Sequence, residues 1–202
     1  IRTGRASPAI LDGIMVDYSA GHIESAESAQ LIQAVNAQLG KNGVKFYPGV
    51  SYRHLAIVEC GMRNAECEEL AKTTCTPPHD ISGKPYEPHL PTGPGSDLLR
   101  RIMQESVGLL TAHPVNQRRT KEGKRPATML WFWGQGTVAT FPPFQQEYGL
   151  RGACISAVDI VRGLGRLVGF DIIKVPGITG YFDTNYQGKA EYALKALDDH
   201  DL

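Results

Sequence analysis

Long apolar runs are missing from this 202-residue chain. None approaches the roughly 18 residues that cross a bilayer, so a membrane-spanning helix is not expected. Net charge is missing as well: 21 Lys and Arg stand against 21 Asp and Glu. That balance argues against a nucleic-acid or membrane-surface partner recognised by bulk charge. Cysteine is scarce, and Cys60, Cys67, Cys75 and Cys154 are too few and too irregular for a disulfide framework. Three of them lie close together with His79 nearby, but no Cys-x-x-Cys pair accompanies them, so reduced thiols are expected rather than a zinc site. There is no signal peptide, phosphate-binding loop, His-Glu-x-x-His or nucleophile elbow, and no internal repeat or low-complexity tract. Gly163, Gly165 and Gly169 sit inside a helical pattern at the wrong spacing for a dinucleotide fingerprint. Asp183, Asp198, Asp199, His200 and Asp201 suggest a metal cluster only on paper, because the last four read as a solvated helix end. The first residue is Ile rather than Met, so a piece of a longer chain is expected.

What is present is an ordinary globular composition, 42% hydrophobic and 21% charged, enough for one good core or one core and part of another. Gly13 to Tyr18 reads as a strand. A helix follows from about Ser25 to Leu39, with Leu31, Ile32, Val35 and Leu39 on one stripe, Ser25 as N-cap and Gly40 past its end. Strands are expected at Val44–Tyr47 and Arg53–Cys60, with Pro48-Gly49 between them. Residues 61–74 read as a polar surface excursion, and 77–95 as a long Pro- and Gly-rich connection. Ser96 is the expected cap of a helix buried through Leu98, Leu99, Ile102, Met103, Val107 and Leu110, which Pro114 ends near His113.

A basic stretch comes next, Arg118, Arg119, Lys121, Lys124 and Arg125, leading into Pro126 and the apolar run Met129–Trp133. That run predicts a buried strand over 128–133, with cations at its edge suited to an anion. Thr137 to Tyr148 reads as a linker. Ala153–Ser156, Val158–Leu167 and Phe170–Val175 then make a β-α-β unit, and a Thr184/Gln187 capping box precedes a last helix. The fold class is α/β, a mixed-sheet domain followed by a β-α-β-α piece, divided as 1–148 and 149–202. On residue types alone the basic run is a solvated face, and His22 and His79 are loop histidines. Three loops rigid with Gly and Pro carry them, however, and that suits a phosphorylated carboxylic acid.

Trp133-Gly134-Gln135-Gly136-Thr137 matches the joining segment of antibody variable domains, but the clear helices exclude that fold. A second likeness covers Gly13 to Leu202. It is carried by Val16-Asp17-Tyr18-Ser19-Ala20-Gly21-His22-Ile23, by the stretch from Phe46 to His54, and by Thr76-Pro77-Pro78-His79-Asp80-Ile81. Further matches are His113-Pro114-Val115-Asn116, Lys124-Arg125-Pro126-Ala127, Trp133–Gly136, Ile155–Asp159 and Thr179–Ala190. Together these resemble the archaeal-type, cofactor-independent (2,3-bisphosphoglycerate-independent) phosphoglycerate mutases of the alkaline-phosphatase superfamily. Residues 1–12 and 61–74 match poorly.

The resemblance implies an enzyme that interconverts 3-phosphoglycerate and 2-phosphoglycerate through a phosphoserine, cytoplasmic, in glycolysis and gluconeogenesis. Two divalent metals, Mn or Mg, and a serine nucleophile belong to the core, and an inserted domain reorients the glycerate. This chain has neither the Gly-Asp-Gly nor the Gly-Ser-Asp segment of that core, so no catalytic residue and no metal ligand is assigned to it. It is expected to be inactive alone. The partner implied is a small-molecule phosphoglycerate, with no nucleic acid and no membrane. The substrate-binding candidates are His22, His79, Asp80, Arg118, Arg119, Lys124, Arg125 and Lys189. Rival readings are another phosphoryl or phosphonate reaction on the same core, or a non-catalytic binding module.

Overall fold

The structure, a computed structural model, describes residues 16–59, 64–137 and 139–202, with only the backbone of 64–67. It divides into two compact units, Ile1–Thr137 and Val138–Leu202.

The first unit is built on helix α1, Ser25–Leu39, which buries Ser28, Leu31, Ile32 and Val35 on one stripe. That stripe packs on strand β1, Val44–Tyr47, whose alternation turns Val44 and Phe46 inward. β1 pairs antiparallel with β2, Leu55–Val58, in the register Val44↔Val58 to Tyr47↔Leu55. Helix α3, Ser96–Ala112, closes the core from the other side of α1 with Ile102 and Leu110, and Val115 completes the cluster.

Several local expectations are corrected. The α1 N-cap is Glu24, without a side-chain cap. Ser25 Oγ instead accepts the Ser51 N–H at 2.9 Å, tying the hairpin loop to the helix start. Gly40 has φ −74°, so no left-handed cap forms; a Cβ there would collide with Asn36, whose Oδ1 accepts the Phe46 N–H. Helix α2, Asn64–Ala71, occupies most of the expected excursion, because its Ala, Glu and Leu favour helix without an apolar stripe. The 77–95 connection contains two short 3-10 turns, Pro78–Ile81 and Glu87–His89. The cap of α3 is Gly95, at φ 74°, with Ser96 the first helical residue. The basic stretch is itself largely a helix, α4, Pro114–Lys121, capped by His113 Nδ1 accepting the Val115 N–H at 3.2 Å.

Of the strand expected at 13–18, residues 13–15 lie outside the described residues. Val16 exchanges backbone bonds with Lys84 and Gly83, at 2.9 Å each, before the chain turns at 18–22. The strand expected at 128–133 is absent. Leu130 and Phe132 do pack against the core, but the Leu130 N–H goes to Ser106 Oγ and the Trp131 indole to the Thr76 carbonyl. The Leu130 backbone donor is thus taken by a side chain and not by a neighbouring strand.

In the second unit a short helix α5, Phe144–Tyr148, replaces part of the expected linker. Its Phe144 N–H bonds to Val168 O and its ring meets Phe170 edge-on at 5.1 Å, so residues expected in the first domain pack within the second. Strands β3, Ala153–Cys154, and β4, Asp171–Ile172, pair parallel across helix α6, Asp159–Leu167. The glycine series has a packing role here: a Cβ on Gly165 would lie 3.2 Å from both Cys154 Cβ and Ile172 Cδ1. Helix α7, Tyr186–Ala196, is capped by Asn185 Oδ1, which accepts the Gly188 N–H at 2.8 Å, instead of by the Thr184/Gln187 box. Thr184 Oγ1 accepts from Thr179 N, and Gln187 pairs with Glu191.

Candidate functional site

The site grows from one tight turn. Ala20, Gly21 and His22 are consecutive left-handed residues, at φ 47°, 65° and 55°. Such a conformation is natural for glycine and strained for the two residues beside it. Local bonds hold it: Ile23 N–H reaches Ser19 O at 3.1 Å, His22 N–H reaches Ser19 Oγ, and Asp17 Oδ1 accepts from Ser19 N. Ser51, also left-handed, donates its hydroxyl to Ile23 O at 2.6 Å and fastens the far end.

Around this turn the aromatic rings form a continuous edge-to-face series. His22 meets Tyr52 at 5.9 Å, Tyr52 meets Tyr18 at 5.5 Å, Tyr18 meets His79 at 6.3 Å, and His79 meets Trp133 at 5.3 Å. Four segments distant in sequence are thereby brought together, and both candidate histidines lie in the series. Asp80 is exposed beside His79, its carboxylate 3.6 Å from the ring nitrogen.

The cations divide by burial. Arg125 is 72% exposed, lies over Gly21 and pairs with the Asp17 carboxylate. Burial works to raise the Asp17 carboxyl, but the hydrogen bonds from Arg125 and Ser19 and the guanidinium charge outweigh it and hold the group below its ordinary value. Lys124 is exposed and bonds to Glu122 at 2.7 Å, which raises the ammonium above its ordinary value. Arg118 is half exposed and reaches Glu27 at 3.1 Å. Arg119, also a substrate-binding candidate, is different: its side chain is only 4% exposed and its donors are engaged inside the protein. Its Nε donates to Arg125 O at 2.9 Å, its Nη2 to Ala20 O at 2.7 Å, and its Nη1 pairs with Glu27. Glu27 is also held below its ordinary value: burial pushes it up, and the two arginines push it further down. Lys189 belongs to the second unit, where its ammonium lies 5.7 Å from the Tyr186 ring centre.

Tyr18, Tyr52, Glu27 and Asn116 are the contributors that sequence reasoning did not single out. Asn116 is 2% exposed, and its amide accepts the Ala127 N–H while donating to Ala127 O and Leu110 O. It lies one turn before Arg119 on α4, so one helix face clips both 125 and 127. The spacing Asn116-x-x-Arg119 was the available signal, but only burial separates a clip from a solvated face.

The arrangement therefore offers exposed cations and imidazoles set on a rigid turn, with carboxylates as their present partners. A carboxylate or phosphate of a ligand would meet the same guanidinium fork that now holds Asp17. Among the described residues no group of three His, Cys, Asp or Glu is placed to hold a metal ion. No helix among them is long and apolar enough to cross a membrane.

A model of the 2,3-bisphosphoglycerate-independent phosphoglycerate mutase family matches residues 3–116. The chain belongs to this family. The phosphoglycerate mutase of Methanosarcina barkeri is 48% identical over 94% of the chain and 46% of the relative. That of Methanothrix thermoacetophila is 47% identical over 96% and 46%. The solved cofactor-independent phosphoglycerate mutase of Thermoplasma acidophilum superposes with a TM-score of 0.56 at 27% identity, over 94% of this chain and 49% of that one. A Pyrococcus horikoshii structure, at 23% identity and TM-score 0.63, shares the fold. The chain spans about half the length of the curated mutases it matches.

Proposed function

We propose that the chain is the substrate-holding part, with a piece of the core, of a longer polypeptide that interconverts 3-phosphoglycerate and 2-phosphoglycerate through a phosphoserine. The first unit is the inserted domain that reorients the glycerate, and the second a portion of an alkaline-phosphatase-like core. The enzyme is a cytoplasmic isomerase of glycolysis and gluconeogenesis. The observation that carries the reading, beside family membership, is the exposed Arg125, whose stem lies against Gly21 of the left-handed Ala20–His22 turn and whose guanidinium already pairs with a carboxylate, that of Asp17.

In this reading Arg125 takes a phosphate or carboxylate bidentately and Lys124 adds a point charge. His22 and His79, fixed by the tyrosines between them, hydrogen-bond the remaining oxygens. Arg118 can exchange Glu27 for the ligand. Holding the glycerate in one orientation removes entropy from the barrier, an effect on the order of several kcal/mol. In the mutase reading the two divalent ions, Mn or Mg, and the serine nucleophile are supplied by the core of the full-length polypeptide. Lys189 is the candidate contribution of the second unit.

The test is a coupled assay of the full-length protein on 3-phosphoglycerate with manganese or magnesium, alongside Arg125→Ala and Arg125→Lys. Losing one charge-assisted pair costs about 1.5–3 kcal/mol, roughly ten- to more than a hundredfold in kcat/KM. Lysine should restore only part, because it lacks the planar fork. No turnover by a folded, metal-supplied full-length protein would sink the reading. Near-normal activity of Arg125→Ala would return that residue to a solvated charge.

A further inference from the structure

We propose that Arg119 and Glu27 are a positioning pair: a clamp of a buried guanidinium and a part-buried carboxylate that sets the Ala20–Gly21–His22 turn and the Arg125 backbone in the geometry that binds the ligand. The proposal deepens, and rests on, the mutase reading of the same site. It assigns these residues to neither substrate contact nor bulk stability.

The argument is one of convergence. A single planar group on α4 reaches three separate segments: the Ala20 carbonyl inside the strained turn at 2.7 Å, the Arg125 carbonyl at 2.9 Å, and the Glu27 carboxylate on α1. Both carbonyls belong to backbone that carries candidate ligands, since Ala20 precedes Gly21-His22 and Arg125 bears the exposed fork. A left-handed alanine persists only where its surroundings over-determine it, and the Arg119 hydrogen bond to Ala20 O supplies one such constraint. The guanidinium is 4% exposed and the carboxylate 15%, so the clamp does not exchange freely with water or with an anion. Glu27 is well placed for the role because it also holds Arg118, the exposed neighbour, at 3.1 Å. One carboxylate on the first turn of α1 thus orders two adjacent arginines, a buried one that fixes backbone and an exposed one that can meet ligand. A lysine in place of Arg119 could keep the charge near Glu27 but not span both carbonyls, because three donors on one nitrogen do not reproduce the fork.

The test uses the full-length enzyme. Removing Glu27 alone strips the buried guanidinium of its counter-charge, and Arg119→Ala leaves the Ala20 and Arg125 carbonyls without their donor, so either single removal risks unfolding. The informative variants are Arg119→Lys and the paired Glu27→Leu/Arg119→Met, in which the charges leave together and the volume stays apolar. Each is followed by thermal unfolding, by steady-state kinetics on 3-phosphoglycerate, and by NMR of the Ala20, Gly21 and His22 amides. The expected result is a folded protein whose KM rises about tenfold or more while kcat changes less, with those three amide signals shifted. A purely structural pair would behave differently: partial unfolding lowers the active concentration, so apparent kcat falls at unchanged KM. Unchanged KM with unmoved amide signals in either folded variant overturns the proposal. If the wild-type enzyme itself fails to turn over 3-phosphoglycerate, the functional reading falls, and the amide signals still decide whether Arg119 sets the turn.

Discussion

Two histidines, one in each unit, have surroundings that favour opposite protonation states, and their chemistry gives opposite pH dependences. His54 is half-buried beside the hairpin turn, and its Nδ1 accepts the Gly49 N–H at 3.1 Å, which requires the neutral ring. Burial pulls it down from 6.5 to about 4. As pH falls below 6.5 the unfolded chain takes up the proton first. Stability is therefore lost progressively down to about pH 4, where the folded form also protonates and the loss levels off. His200 is the reverse. Its Nε2 faces the Asp171 carboxylate at 3.0 Å and its Nδ1 the Ala196 carbonyl at 2.8 Å, so both nitrogens meet acceptors and the imidazolium is favoured. The Asp171 hydrogen bond leads in raising it above 6.5, and its contribution is complete below 6.5 and lost as pH rises through the raised value. Thermal unfolding of His54→Asn, which keeps an acceptor for Gly49, should be flatter than wild type between pH 6.5 and 4. A ring-proton titration should show His200 above the ordinary value, and Asp171→Asn should reduce the shift, since the Ala196 carbonyl still favours the charged ring. A His54→Asn curve that tracks wild type across that window would refute the buried neutral ring.

Helix α4 shows how an element can be visible in composition and still be misread. Its residues give a basic run with no apolar stripe, so the sequence suggests solvent. The structure turns Val115, Asn116 and Arg119 inward and leaves Arg118 and Lys121 outside. By contrast α1, α3 and the hairpin were legible because Leu31, Ile32 and Val35, the Leu99–Leu110 set and Val44/Phe46 follow the helical and strand periods without competition. The run Met129–Trp133 failed for a related reason. Apolar content alone cannot say whether backbone donors go to a strand or to side chains such as Ser106 and Asn116. Histidines 22 and 79 were legible as loop residues, but Tyr18 and Tyr52, the rings that connect them, were not, since contact between loops leaves no local pattern. Asn116 provides the quantitative check. Asn116→Ala orphans the Ala127 N–H and two carbonyls in a buried place, and should cost about 2–4 kcal/mol in denaturant unfolding. Asn116→Asp should be worse than alanine, because an acceptor-only carboxylate would face the Leu110 and Ala127 carbonyls. If aspartate proves the milder change, the amide does not donate as described and α4 is held by packing instead.

The two units differ in how completely they bury their own apolar surface. The first closes a core of ten buried residues from Ala20 to Val115. The second leaves Ile160, Leu164 and Leu167 exposed along one stripe of α6, at 71%, 50% and 47%, with Leu194 and Leu197 of α7 at 69% and 55%. Its sheet is a single parallel pair of two-residue strands, and parallel strands are stable only when helices cover both faces. A stripe at i, i+4 and i+7 is the pattern of a helix that packs on something. Since the chain spans about half of each relative, the mutase reading makes the remaining polypeptide the natural cover for this face. Two opposite consequences then follow from one substitution. Expressed alone, the 202-residue chain should self-associate with rising concentration, and Ile160→Lys/Leu164→Glu should suppress that in sedimentation velocity. In the full-length protein the same two charged side chains would be forced into an interior and should lower the melting temperature strongly, because even a paired Lys and Glu lose more in desolvation than their attraction returns. A full-length protein indifferent to the double substitution would mean that α6 faces water in the whole enzyme. The second unit would then have to be stabilised by its parallel pair, the Phe144–Phe170 contact, the close packing at Gly165 and the His200–Asp171 tie, without burial of the α6 stripe.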